Sequence, residues 1–278
     1  MNLEQQVRSI IELAFSEDRR DLTSNLLFSQ QERLRAGIVS KAMGVVCGVT
    51  FAAMALRRMD PSCIIRVHKK DGTAIRPGDL VLSVKGRARA LLSAERKAVN
   101  FIQHLSGLAT LTAKFVQAVR GTRARIFDTR KTIPGVRLLQ KYAVLCGGGQ
   151  NHRLNLSQMA LVKDNHLSAL NGRWSLVTNL RRKLPRGTLL EIEAKTIREV
   201  FLAIKAQADI IMLDNMTIPR LKKSVSFIRK NSKAQIEISG GITLKNVHKI
   251  ARLGVERISV GALTHSAPAL DLSMEIYG

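Results

Sequence analysis

Six short apolar runs rich in Ile, Val, Leu and Met punctuate the chain from about residue 125 onward. They are Arg125-Ile126-Phe127, Met159-Ala160-Leu161-Val162, Leu189-Leu190-Glu191-Ile192, Ile210-Ile211-Met212-Leu213, Gln235-Ile236-Glu237-Ile238 and Arg257-Ile258-Ser259-Val260. They recur at intervals of roughly 20–35 residues, with amphipathic stretches such as 197–207 and 244–253 between them. A strand, a helix and a second strand in succession pair the two strands in parallel, because the helix carries the chain back to the starting edge. Two architectures satisfy this rhythm. In a (β/α) barrel the C-terminal strand ends converge on one mouth; in a doubly wound sheet they line a crevice. Six units, with no Gly-x-Gly-x-x-Gly turn after the first strand, favour the (β/α) barrel.

What ends each strand points to chemistry. The run-offs are Asp128-Thr129-Arg130-Lys131, Lys163-Asp164-Asn165, Glu193, Asp214-Asn215, Ser239-Gly240-Gly241 and, after Val260, Gly261-Ala262. Asn151-His152-Arg153 lies between the first two. Arginine presents a planar fork suited to carboxylates, and lysine a compact charge suited to phosphate. Arg130, Lys131, His152, Arg153 and Lys163 gathered at one mouth repel one another, so the set calls for an anionic ligand. Any one of them alone reads equally well as a surface cation. Glu193 and Asp214 suit magnesium or ribose hydroxyls, or else pairing with nearby lysines. Glu191, two residues from Glu193, shares its strand face. The glycine turns let backbone N–H groups approach a phosphate. His152 reads as a hydrogen-bond donor to a carboxylate rather than a general base.

The first hundred residues differ. An amphipathic helix is expected over 5–15, then β-like segments at 36–49, 64–68 and 79–87, with turns at Lys70-Asp71-Gly72 and Arg76-Pro77-Gly78-Asp79. One or two helices follow over 93–119, broken near Ser106-Gly107. The expected organisation is a separate N-terminal α+β domain, 1–106, and a barrel domain, 107–278. Cys47, Cys63 and Cys146 are odd in number, far apart and without metal-ligand spacing, which argues against a disulfide framework or a zinc site. The N-terminal run lacks the basic and apolar regions of a signal peptide, and no apolar run is long enough to span a bilayer, so the expected location is cytoplasmic. Lys plus Arg number 45 against 21 Asp plus Glu, a formal charge of +24. Aromatics are only 4%, too few for a single-strand stacking platform. The balance therefore favours a basic surface with a small-anion site over a dedicated nucleic-acid binder.

Several multi-residue motifs in one order carry a resemblance to a known family. The stretch 128–166 contains Asp128-Thr129-Arg130-Lys131-Thr132, Lys141-Tyr142-Ala143, Cys146-Gly147-Gly148-Gly149, Asn151-His152-Arg153 and Lys163-Asp164-Asn165-His166. With Ala94-Glu95-Arg96, Leu213-Asp214-Asn215, Ser239-Gly240-Gly241-Ile242 and Val260-Gly261-Ala262-Leu263-Thr264-His265-Ser266, it closely resembles quinolinate phosphoribosyltransferase. The resemblance implies a fold with an N-terminal α+β sandwich domain on an incomplete (β/α) barrel, and an enzyme of NAD biosynthesis. It would turn quinolinate and phosphoribosyl pyrophosphate (PRPP) into nicotinate mononucleotide, pyrophosphate and carbon dioxide, with Mg2+. It further implies that Arg130, His152, Arg153 and Lys163 hold the substrate's two carboxylates, with Thr129 in the same run also binding substrate. Lys131 would bind PRPP phosphate, and Glu193 and Asp214 would serve ribose and magnesium. Ser239, Gly240 and Gly241, with Val260, Gly261 and Ala262, would hold the 5′-phosphate. Lys131, Lys163, Glu193 and Asp214 are the residues it makes catalytic. Arg96 would reach into the site of a neighbouring subunit, so the implied functional unit is a homodimer, with a hexamer left open. The intact Asn151-His152-Arg153 and Lys163-Asp164-Asn165 motifs argue against a paralogous barrel protein encoded with molybdate transport genes. The chain departs from the family pattern at the glycine-free segment 17–21 and at Ile133, where threonine is common.

Overall fold

The computed structural model describes residues 2–18 and 20–277; Arg19, within the glycine-free segment, lies outside them, as do Met1 and Gly278. By internal contacts the chain forms two compact units. One comprises Met1–Ala113, Thr132–Gly148 and Leu263–Gly278, the other Lys114–Lys131 and Gly149–Ala262. A division at residues 106–107 and this partition differ in the placing of Thr132–Gly148 and Leu263–Gly278, which cluster with the N-terminal part.

Strands β1 (Arg33–Ser40), β2 (Gly44–Val45), β3 (Ile64–Val67), β4 (Ala74–Ile75) and β5 (Leu80–Arg87) belong to the first unit. Strands β6 (Arg125–Phe127), β7 (Ala160–Val162), β8 (Leu190–Ala194), β9 (Ile210–Asp214), β10 (Gln235–Ser239) and β11 (Arg257–Ser259) belong to the second, and β12 (Leu272–Tyr277) to the first.

In the first unit an antiparallel sheet runs β12-β1-β5-β3, with β2 and β4 as a separate two-stranded ladder. The strand expected over 36–49 is thus two: β1, and the short β2 that leaves its sheet. Ala36 and Ile38 of β1, and Leu82 and Val84 of β5, are buried on one face, as period-two alternation requires. The expected N-terminal helix spans Leu3–Glu17 and opens on a reciprocal cap between Asn2 and Gln5. Strand β12 is an addition to the expected elements. Its apolar Leu272, Met274 and Ile276 alternate with polar or exposed positions, and it pairs with β1 along its whole length.

The expected break near Ser106-Gly107 is absent: one helix runs from Ala88 to Ala118. Ser106 is buried, and its hydroxyl lies 2.8 Å from the Cys47 N–H that it accepts. A Cβ on Gly107 would stand 1.9 Å from the Pro268 carbonyl oxygen. Glycine here permits a close approach instead of ending the helix. Gly107→Ala should therefore destabilise by about 1–3 kcal/mol or more, as overpacking does; urea unfolding of the variant within about 0.5 kcal/mol of wild type would contradict this.

The second unit is a six-stranded sheet in the order β6-β11-β10-β9-β8-β7, every described pairing parallel. From β7 to β11 each strand sits beside its successor, while β6, the earliest, pairs with β11, the latest. That cyclic order belongs to a curled sheet open between β6 and β7, an incomplete barrel, and not to a doubly wound sheet whose order reverses midway. The strands coincide with the six apolar runs to within a residue or two. All five residues of β8 are buried, as expected for strands covered on both faces. Crossover helices include Ile197–Lys205, with a Thr196–Glu199 capping box, and Ile218–Asn231, with proline in its first turn.

Candidate active site

The C-terminal ends of the six strands bring the expected groups of the second unit together. Leaving β6, Asp128 is fully buried, and its Oδ1 accepts the His152 N–H at 2.8 Å. This joins the segment carrying Arg130 to the one carrying Arg153. Arg153 is buried, and one terminal nitrogen donates to the Met159 carbonyl at 2.8 Å. Burial, and then the positive charge of Arg130, hold the Arg153 guanidinium below its usual pKa range. The Nε atoms of both arginines are buried without a hydrogen-bond partner. Two guanidinium groups that repel each other, one buried and one half-buried, each with an unused Nε–H, make a site prepared for an anion. Lys131 is exposed at the end of the same run, where its N–H donates to Thr129 Oγ1 at 3.1 Å.

His152 is not turned toward that anion position. Its Nε2 faces the barrel interior, 3.1 Å from Glu191 Oε2 and 3.5 Å from Glu237 Oε1. The reason is local: the hydrogen bond to Asp128 fixes the backbone, and β8 and β10 each place a glutamate at an inward position. Glu237 in turn accepts from Arg257 Nε and from Ser259 Oγ, both at 2.5 Å. The Arg257 guanidinium stacks 3.8 Å from the centre of the Phe127 ring. Burial by itself would raise the Glu237 carboxyl, but hydrogen bonds and charge from His152 and Arg257 hold it below the usual range. Glu191, which lacks such an arginine, is raised by burial and then by Glu237. Glu237, Arg257 and Ser259 are not among the residues expected from sequence. A glutamate between two isoleucines in Gln235-Ile236-Glu237-Ile238 is the available signal, since an inward charge needs a partner and β11 sets Arg257 in register beside it.

Burial opposes a charged His152, but the two glutamates outweigh it and push the imidazole up to about 9. Nδ1 also lies 2.8 Å from the Arg153 N–H, a contact only the neutral ring accepts. The neutral ring with its proton on Nε2 makes both kinds of contact, so it is the negative charge of the two carboxylates that favours the second proton, at the cost of the Arg153 contact. His152 thus gains a proton on folding. Its stabilisation is complete below pH 6.5, the ordinary imidazole value, and is lost as pH rises toward 9, about 3 kcal/mol in all. Imidazole NMR titration should place His152 well above 6.5, and Glu237→Gln should lower it; an ordinary titration near 6.5 would contradict the arrangement.

Across the mouth, Lys163 Nζ lies 4.0 Å from Glu193 Oε2. Glu193 is buried, and burial followed by the negative charges of Asp214 and Asp164 raises its pKa. Asp164 is paired with Lys195 at 2.6 Å. Asp214 accepts from the side-chain amide of Asn215 at 2.7 Å. Asn215 is left-handed, with φ 53°, and its N–H donates to Ser239 O at 3.0 Å, tying the β9 and β10 ends together. Gly240 and Gly241 are left-handed at φ 86° and 63°, and a Cβ on Gly240 would stand 2.2 Å from Asn215 Oδ1. Only glycine fits there. Val260 N–H donates to Phe127 O at 2.9 Å, so the Gly261-Ala262 turn leaves the barrel next to β6. The helical stretch expected over 244–253 is shorter, Val247–Ala251.

Arg96 lies in the first unit, on the helix Ala88–Ala118. Its side chain is 69% exposed, with a weak 3.8 Å approach to Glu95, at the rim of a pocket of about 430 Å3 lined also by Lys97, Phe101, His104 and Gln140.

Two family models cover the chain: quinolinate phosphoribosyl transferase, N-terminal domain, over residues 21–106, and C-terminal domain over 108–275. A probable nicotinate-nucleotide pyrophosphorylase [carboxylating] of Synechocystis is 42% identical over 247 residues, 88% of this chain and 84% of the relative. A counterpart in Bacillus subtilis is 37% identical, over 98% of this chain and 93% of the relative. The crystal structure of NadC from Streptococcus pyogenes superposes with a TM-score of 0.92 at 36% identity, covering 100% of this chain and 98% of that one. Human nicotinic acid phosphoribosyltransferase, at 12% identity and a TM-score of 0.60, shares the fold alone.

Proposed function

The chain belongs to the quinolinate phosphoribosyltransferase family, and from that membership we propose that it transfers the phosphoribosyl group of PRPP to quinolinate with decarboxylation, in NAD biosynthesis. The products are nicotinate mononucleotide, pyrophosphate and carbon dioxide. The observation that carries this reading is the pair Arg130 and Arg153, whose charges repel and whose Nε–H donors are buried and unused. Quinolinate, a pyridine with adjacent carboxylates, supplies the two negative charges they lack. Lys163 extends the cationic surface on the other side of the mouth. His152, charged and held by Glu191 and Glu237, serves as a positioning residue for Arg153, its chain neighbour.

The ring nitrogen forms a bond to the anomeric carbon as the bond to pyrophosphate breaks through an oxocarbenium-like state. The contribution of this chain is placement and charge stabilisation. The pyridinium so formed accepts the electron pair released when the adjacent carboxylate leaves as carbon dioxide, and that ring carbon takes a proton. We assign the PRPP phosphate to Lys131 and the 5′-phosphate to the left-handed glycines after β10. Glu193 and Asp214, mutually repelling carboxylates at neighbouring strand ends, fit Mg2+ and ribose hydroxyls in donor type. Bound Mg2+ would neutralise charge building on the pyrophosphate. Exposed Arg96 suits insertion into the site of a second copy, so a homodimer is the unit we expect. No helix among the described residues is long and apolar enough to cross a membrane, and we place the enzyme in the cytoplasm.

Purified protein given quinolinate, PRPP and Mg2+ should consume quinolinate and release carbon dioxide in equal amounts. The formal charge of +24 makes duplex DNA the natural control. Absence of turnover together with tight, salt-sensitive DNA binding would replace this reading with a nucleic-acid one.

A further inference from the structure

The three cysteines are well separated in sequence, which by itself speaks against a metal site, yet two of them converge in the first unit. Cys47 follows β2, Asp71 lies in the turn before β4, and Cys146 ends the helix Arg137–Cys146. The two Sγ atoms and an Asp71 carboxylate oxygen all lie within 4.8 Å of one another. The ladder of β2 and β4 sets this meeting, with Val46 N–H donating to Thr73 O at 3.0 Å and Gly72 N–H to Val46 O at 2.8 Å. We propose that Cys47, Cys146 and Asp71 bind a thiophilic divalent cation of the Zn2+ type.

The ligand spacing agrees with zinc chemistry. Bonds of about 2.3 Å to sulfur and about 2.0–2.2 Å to oxygen set tetrahedral ligand atoms roughly 3.5–3.8 Å apart, inside the 4.8 Å within which the three meet, so small side-chain movements bring them onto one ion. The supporting contacts are in place as well. Tyr142 Oη donates to Asp71 Oδ2 at 2.8 Å, and Val49 N–H donates to Oδ1 at 3.0 Å. These fix the carboxylate while each oxygen keeps a further lone pair. Tyr142 is steadied against Phe51, their ring centres 5.5 Å apart. Cys47 is fully buried, whereas Asp71 and Cys146 are half-buried, so the site has a dry floor and an entry side. On binding, each thiol releases its proton to solvent as a sulfur lone pair forms the metal bond; no oxidant or reductant is involved. Three protein ligands leave one tetrahedral position for water.

The test is a Co2+ titration of the reduced, metal-free full chain under anaerobic conditions. The expected result is a near-ultraviolet thiolate-to-metal absorption saturating at one Co2+ per chain and abolished by added Zn2+. Carboxylate sites elsewhere give no such band, so the readout is independent of Mg2+ and of turnover. Cys146→Ala, at a half-buried position, should abolish the band, so the fully buried Cys47 need not be disturbed. Tyr142→Phe should weaken Co2+ binding roughly 10–100-fold with the band's shape unchanged. Absence of the band in wild type, its persistence in Cys146→Ala, or mass spectra showing Cys47 and Cys146 joined as a disulfide without metal uptake would each overturn the proposal.

Discussion

Arg130→Ala should weaken quinolinate binding by about 2–5 kcal/mol, measured by calorimetry, while the ligand-free variant unfolds at the same temperature as wild type or a higher one. The two halves of this expectation come from one arrangement. With substrate present, Arg130 is one partner of a desolvated charge pair, and truncating it leaves a carboxylate facing a site that no longer answers it. Without substrate, Arg130 and Arg153 repel each other, and the Nε of each has no partner. Removing one relieves the repulsion. Arg153→Ala should lose a similar amount of affinity but also stability, because Arg153 donates to the Met159 carbonyl as well. Quinolinate binding of Arg130→Ala at wild-type strength would remove the assignment on which the proposed function rests.

Glu237→Ala should lower the unfolding free energy by about 3–5 kcal/mol, the usual consequence of stripping one member from a buried ionic cluster. The Arg257 guanidinium and the Ser259 hydroxyl lose this carboxylate at once, and the His152 ring loses one of its two. Glu191 cannot take over the whole role, since burial already raises its pKa toward the neutral form. Urea denaturation measures the effect, and a loss below about 1 kcal/mol would show that the cluster does not hold the barrel interior. Glu237→Gln should fall between, because an amide still accepts one hydrogen bond but supplies no charge.

Much of the second unit is legible from the chain alone. Apolar runs buried on both faces announce parallel strands directly, and the residue following each run is fixed in space by the strand it ends. Arg130, Lys163, Glu193 and Asp214 are therefore found at or just beyond strand ends as expected, while Arg153 lies in the loop leading into β7. Orientation is harder. His152 belongs to the expected cluster by position but points inward, because two mid-strand glutamates compete for it and win. Nothing in the local run Asn151-His152-Arg153 states that preference; it depends on residues some forty and eighty-five positions away. Gly107 illustrates a second kind of blindness. A glycine in a helical pattern reads as a break until the opposing carbonyl of Pro268 is seen. The meeting of Cys47 with Cys146 is a third, set by a two-residue strand too short to give a periodic signal.

The pairing of β12 with β1 has a consequence for biosynthesis. The N-terminal sheet receives one of its edge strands only after every barrel strand has been translated, long after β1, β3 and β5 have left the exit tunnel. The barrel strands, by contrast, emerge consecutively and pair with immediate neighbours from β7 to β11. The sheet begun before the barrel is thus completed after it, and until then an unpaired edge of β1 is what chaperones would meet.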